Sequence, residues 1–133
     1  MLDTNVLISA VYNPTSVPGR TVELVGSDHC LVLCEYVIKE CLEVIQRKFP
    51  HRLELFNDLL NRSGIEVFVG DAPYSYPISD PKDQPILDAA VAADVDVLVS
   101  GDKHFVEVAP GRPNILTPAR FLEEYGHVDA MSG

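Results

Sequence analysis

Four acidic residues stand where a carboxylate is costly to place: Asp3, Glu40, Asp83 and Asp102. Asp3 ends the short apolar start of "MLDTNVLISA", and Asp102 lies just past the apolar run of "VDVLVSGD". Asp83 precedes "QPILDAAVAAD", the alanine-rich segment that leads into that second run. Glu40 sits inside "EYVIKECLEVIQRKF". At about 100° of helical turn per residue, it falls at the flank of an apolar face centred between Val37 and Cys41. Carboxylates gathered in one pocket repel one another and resist desolvation, so they need protons, basic partners or a metal ion. Their neighbourhood offers only Lys39, Lys82 and Lys103 as basic partners. His29, His51, His104 and His127 are scattered and make no zinc-type cluster with the cysteines. Oxygen-only ligation points to Mg²⁺ or Mn²⁺, hard cations that keep several waters and meet phosphate oxygens. Such ions activate water and neutralise charge in phosphodiester hydrolysis. Taken singly, each acid also has a plainer role: Asp83 or Asp102 as a cap, Glu40 as a solvated flank residue.

The elements that must position these acids alternate along the chain. Strand-like apolar runs lie at 2–3, 30–33, 65–69, 95–99 and 114–116, with helical patterns between them. The helix over 35–49 stacks Val37, Ile38, Cys41, Leu42 and Ile45 on one face. A second helical pattern, "RLELFNDLLNRSG", stops at Gly64, and further helices are expected over 84–94 and 118–126, each with proline in its first turn. Uninterrupted apolar strands alternating with helices predict a parallel sheet covered on both faces. Function in such sheets gathers at the carboxyl ends of the strands, where Asp3, Asp83 and Asp102 fall. The loop over 70–83 would deliver Asp80 and Asp83 to a helix start, where backbone N–H groups favour negative charge.

At 133 residues, without linker, repeat or low-complexity run, the chain is expected to be a single domain, 1–133. No apolar stretch is long enough to cross a membrane, and the N-terminus lacks a signal-peptide core, which predicts a cytoplasmic protein. Cys30, Cys34 and Cys41 are odd in number and sit in apolar surroundings, so they are expected to be reduced core residues. The net charge is −10, which argues against holding nucleic acid by charge alone. Divalent cations, or a small basic patch, would have to supply the missing positive charge.

Beyond these patterns, "LDTNVLISA", "YVIKECLEVI", "SDPKDQPILDAAVAADVDVLVSGDKHF" and "ILTPARFLE" resemble, in order and over essentially the whole chain, the PIN domain family, most closely VapC-like prokaryotic toxin components. The resemblance implies an α/β/α domain with a five-stranded parallel sheet of order 3-2-1-4-5 and a metal-dependent ribonuclease activity. Matched position by position, it implies that Asp3, Glu40, Asp83 and Asp102 form the catalytic metal site, with Asn5 and Ser100 hydrogen-bonded around it. "DPKD" offers both Asp80 and Asp83 for one role; Asp83 is closer to the helix start, and Asp88 is a weaker candidate. The implied cofactor is Mg²⁺ or Mn²⁺, and the implied partners are an RNA substrate, an antitoxin protein and a second copy in a homodimer. Two departures stand out. Only Met1 and Leu2 precede Asp3, so the first strand is expected to be short or to begin upstream, and Cys34 replaces a serine or proline at a strand–helix junction.

Two other readings compete. A non-catalytic PIN-like module would bind a partner and leave the acids idle. A phosphatase of the aspartyl-phosphate type would also use an acid after the first strand, but "DTN" lacks the second acid of a DxD pattern. No nucleotide-binding glycine motif or serine-hydrolase elbow is present.

Overall fold

The structure, a computed structural model, describes residues 1–126 except 63, 109–110 and 112; His127 lies outside them. The elements run α1 (Thr4–Tyr12), α2 (Val17–Asp28), β1 (Val32–Cys34), α3 (Glu35–Lys48), a 3₁₀ turn (Pro50–Arg52), α4 (Leu53–Leu60), β2 (Glu66–Phe68), α5 (Gln84–Ala92), β3 (Val97–Val99), α6 (Lys103–Val108), β4 (Asn114–Leu116) and α7 (Pro118–Tyr125). β1 pairs in parallel with β2, with Val32 opposite Glu66, and β3 pairs in parallel with β4, with Val97 opposite Asn114. The chain start joins β3 through one parallel bridge, Leu2 to Val99. Val99 donates to the Met1 carbonyl at 2.9 Å, and Asp3 N–H donates back to the Val99 carbonyl at 3.2 Å.

This is an α/β fold of parallel strands, but its regular ladders are shorter than the sequence predicts. Strands expected over four or five residues span three. The expected order 3-2-1-4-5 appears only as two pieces, β2 beside β1 and the Leu2 bridge beside β3 and β4. Among the described residues no ladder joins the two pieces.

The core follows the apolar periodicity. Val37, Cys41 and Ile45 of α3 are buried, with Ile38 and Leu42 packed beside them, and Phe56 and Leu59 anchor α4. Leu2, Leu33, Leu87 and Leu98 are fully buried between the helical layers. α2 is an element that periodicity does not reveal, because Pro18, Gly19 and Gly26 interrupt its pattern. Ser16 caps it by accepting from the Gly19 N–H at 3.2 Å, and Thr21 ties it to α7 through the Pro118 carbonyl at 3.2 Å. Cys34 and Cys41 lie in the core as expected, whereas Cys30 is exposed just ahead of β1. Its place before the strand, outside the packed layers, accounts for that difference.

Gly19 is required by close approach: a Cβ there would lie 2.2 Å from the Pro14 carbonyl oxygen and 2.8 Å from that of Asn13. Both neighbours are backbone, which cannot swing aside as a side chain would. Gly19→Ala is therefore expected to lower stability by about 1–3 kcal/mol. A thermal melt that matches the wild type would show that the turn over 13–16 relaxes freely.

Candidate metal centre at the strand ends

Asp3 leaves the first segment and becomes the N-cap of α1, its Oδ1 accepting from the Val6 N–H at 3.0 Å. Its other oxygen, Oδ2, accepts a very short hydrogen bond from the Ser100 hydroxyl. The same hydroxyl oxygen accepts from the Asp102 N–H at 3.0 Å. Ser100, fully buried, thus ties the end of β3 to the start of α1 and fixes Asp102 two residues on. Burial pushes the Asp3 carboxyl up from its ordinary range; the Ser100 and Val6 hydrogen bonds oppose this, while Asp102 and Glu40 add to it.

Around Asp102 a second group assembles. Ligand atoms of Asp80, Asp83, Asp102 and His104 all lie within 4.8 Å of one another. Asp102 caps the first turn of α6, accepting from the His104 N–H at 2.8 Å. Asp80 caps the turn over 80–83, accepting from the Lys82 N–H at 3.0 Å. Asp83 holds the N-cap position of α5 yet makes no capping hydrogen bond, because its backbone is already helical. Its Oδ2 is buried with no hydrogen-bond partner, and so is His104 Nδ1. That nitrogen sits 2.9 Å from Asp102 Oδ1 and 3.9 Å from Asp83 Oδ2, near enough for attraction but misdirected for a hydrogen bond. Burial first, then the negative charges of Asp102 and Asp80, push the Asp83 carboxyl up to about 7.

Of the predicted residues, then, Asp80, Asp83 and Asp102 meet directly, and Asp3 joins them through Ser100. Glu40 reaches in sideways from the flank of α3, where its Oε1 accepts from the Thr4 hydroxyl at 2.5 Å. Asn5, expected beside the acids, is exposed on the first turn of α1, and it is the Thr4 side chain of that turn that bonds a site acid, Glu40. Asp88 plays a different part: its Oδ1 accepts from Ser75 N–H at 2.9 Å, Ser75 Oγ at 2.6 Å and Gln84 Nε2 at 2.8 Å, mooring the preceding loop to α5. His104, which by sequence alone falls with the scattered histidines, is a member of the cluster. Its position two residues after Asp102, at the start of a helix, was the signal available.

Among the described residues no lysine or arginine is ion-paired with these carboxylates; Lys39 pairs instead with Glu35 at 3.0 Å. Buried atoms without a hydrogen bond, clustered carboxylates with no lysine or arginine paired to them among the described residues, and a donor set of mostly carboxylate oxygen together suit a hard divalent ion. Asp80, Asp83, Asp102 and His104 supply ligand atoms close enough together to hold such an ion.

Likeness to known proteins agrees with this fold. The model of the PIN domain family matches residues 1–104. No curated protein matches the chain. Among solved structures, VapBC2 from Rickettsia felis bound to a DNA fragment from their promoter has a chain of similar fold: TM-score 0.64, 18% identity, covering 87% of this chain and 95% of that one.

The charge crowding has a measurable sign. The folded Asp83 pKa, about 7, lies above its ordinary value of 3.8. Its linkage therefore favours folding fully below the ordinary value, and that contribution is lost as pH rises through about 7. Asp83→Asn should melt above metal-free wild type at pH 8, with the gap closing as pH falls toward 4. Mn²⁺ should stabilise the wild type and not the variant. Equal melts at pH 8 with the Mn²⁺ response intact would make Asp83 an ordinary helix-end residue.

Proposed function

This chain belongs to the PIN domain family, and on that premise we propose that it is a Mg²⁺- or Mn²⁺-dependent endoribonuclease that hydrolyses RNA phosphodiester bonds. The observation that carries the reading is the buried Asp83 Oδ2, which makes no hydrogen bond in a cluster where, among the described residues, no lysine or arginine pairs with the acids and His104 Nδ1 lies 3.9 Å away. A capping role would have used that oxygen in a hydrogen bond to the helix start.

Asp83, Asp102 and Asp80 would hold the ion, with Asp3 and Glu40 lining its inner side. When bound, such an ion supplies a nucleophile from water at neutral pH and charge neutralisation at the phosphate. Ser100 fixes the rotamer of Asp3 and, through the Asp102 N–H, the position of the opposing acid. Thr4 keeps Glu40 turned toward the pocket rather than out to water. The His104 backbone N–H donates to Asp102 Oδ1 and orients that carboxylate, with the imidazole beside it. Both oxygens of Asp3 are engaged by Val6 and Ser100, which argues against its serving as the nucleophile of an aspartyl-phosphate phosphatase.

The likeness to the VapBC2 chain supports a place in a toxin–antitoxin pair, with an antitoxin protein as the partner of this chain. No helix among the described residues is long and apolar enough to cross a membrane. We assign the protein to the cytoplasm, where RNA is at hand.

Incubation with mixed RNAs should give cleavage with Mn²⁺ and none with EDTA. Asp3→Asn and Asp102→Asn should abolish it, and Ser100→Ala should reduce it about 10–100-fold as a support residue. Unchanged cleavage in EDTA, or in both acid variants, would refute the assignment.

A further inference from the structure

Beside the acids lies a second concavity. A cavity of about 290 Å³ opens between the start of α3, the loop after β2 and the first turns of α5, lined by Tyr36, Asp71, Ala72, Pro85, Asp88 and Ala89 among others. Its size suits one planar ring system and little more. Its walls divide by chemistry. Tyr36, Pro85, Ala72 and Ala89 give flat and apolar surface, and the charged side chains that line it, Asp71 and Asp88, are both carboxylates. The hydrogen bonds that Asp88 accepts fall on Oδ1, so among the described residues Oδ2 has no partner within the protein.

Two features connect this cavity to the metal centre. Pro85 lies two residues after Asp83 on the same helix. Tyr36 lies close enough to Glu40, Asp83 and Asp80 for their charges to act on its phenol. The wall is also built to stay in place: Asp88 holds Ser75, and Gln84 bonds the Tyr76 carbonyl at 2.8 Å and the Ile78 N–H at 3.2 Å. Glu35 secures the other end of the loop through the Gly70 N–H at 3.1 Å.

Resting on the ribonuclease reading, we propose that this cavity is a base-recognition subsite: it takes an unstacked nucleobase of single-stranded RNA flanking the scissile phosphate, and it selects bases that carry an exocyclic amino group. Single-stranded RNA is read by stacking bases on aromatic side chains and by hydrogen bonds to their edges. A carboxylate only accepts. Adenine and cytosine offer amino donors to it, whereas uracil sets two carbonyl oxygens around a single N–H and meets the carboxylates with repulsion. A neutral base can enter beside these acids where a phosphate cannot, so the subsite also settles which part of the RNA faces Asp71 and Asp88.

The test uses fluorescein-labelled hexamers of adenylate, cytidylate and uridylate, with Ca²⁺ in place of Mn²⁺, read by anisotropy on the full chain. The adenylate and cytidylate hexamers should bind at least about 10-fold more tightly than uridylate, as expected for a hydrogen bond to a charged acceptor. Asp71→Asn, whose amide can also donate, should narrow the gap. Ala72→Leu, which fills the cavity from a half-buried loop position, should bring the three hexamers to one affinity. Both variants should keep the Mn²⁺-induced rise in melting temperature, which reports the neighbouring site. Equal or undetectable binding of the three RNAs by the wild type overturns the subsite, as does a preference that survives in both variants. Absence of Mn²⁺-dependent cleavage with the base preference present would overturn the ribonuclease reading instead.

Discussion

Burying carboxylates together with, among the described residues, no lysine or arginine paired to them is the condition that the carboxyl end of this protein is built around. Asp3, Asp83 and Asp102 are brought together by backbone that has no freedom to separate them: a strand end, a helix start and the turn between β3 and α6. A lysine among them would settle the charge and close the site. Lys39, next to Glu40 in sequence, pairs instead with Glu35 at the protein surface. The rise of the Asp83 carboxyl to about 7, from burial and then the charges of Asp102 and Asp80, is the electrostatic mark of that crowding.

Ser100 is the small residue on which that crowding depends. Its hydroxyl gives its proton to Asp3 and takes one from the Asp102 backbone, so one side chain sets the spacing of two acids that are 99 residues apart in sequence. Thr4 holds Glu40 from across the gap between α1 and α3 by donating its hydroxyl proton. Hydroxyls suit this work because they can donate and accept at once and add no charge of their own.

Much of this is legible in the sequence, and the exceptions have physical reasons. Strand-end acids show because an Asp that directly follows an apolar run marks the point where a buried strand meets polar surroundings. Glu40 shows because helical geometry fixes its direction. His104 does not, since its approach to Asp83 depends on how α6 starts after a two-residue turn. Asn5 and Thr4 are adjacent polar residues, and only the phase of α1 decides which one faces α3. Asp88 is one acid among several until Ser75 and Gln84 converge on it in the fold. The helices α3 and α5 follow their patterns closely, whereas strand lengths do not, because a ladder needs a neighbour and periodicity reports only burial. α2 is hidden by its own glycines and proline.

The mooring of the loop on Asp88 has a consequence for how this protein can change over generations. Asp83 at the head of α5 and Asp88 further along it are mounted on one rigid rod but serve different masters: the first faces the acids, the second faces the loop. Substitutions at the tips of that loop, in 71–74, need not disturb the rod or anything attached to its head. Variation can therefore accumulate in what the loop touches while the acids at the head of the rod keep their places.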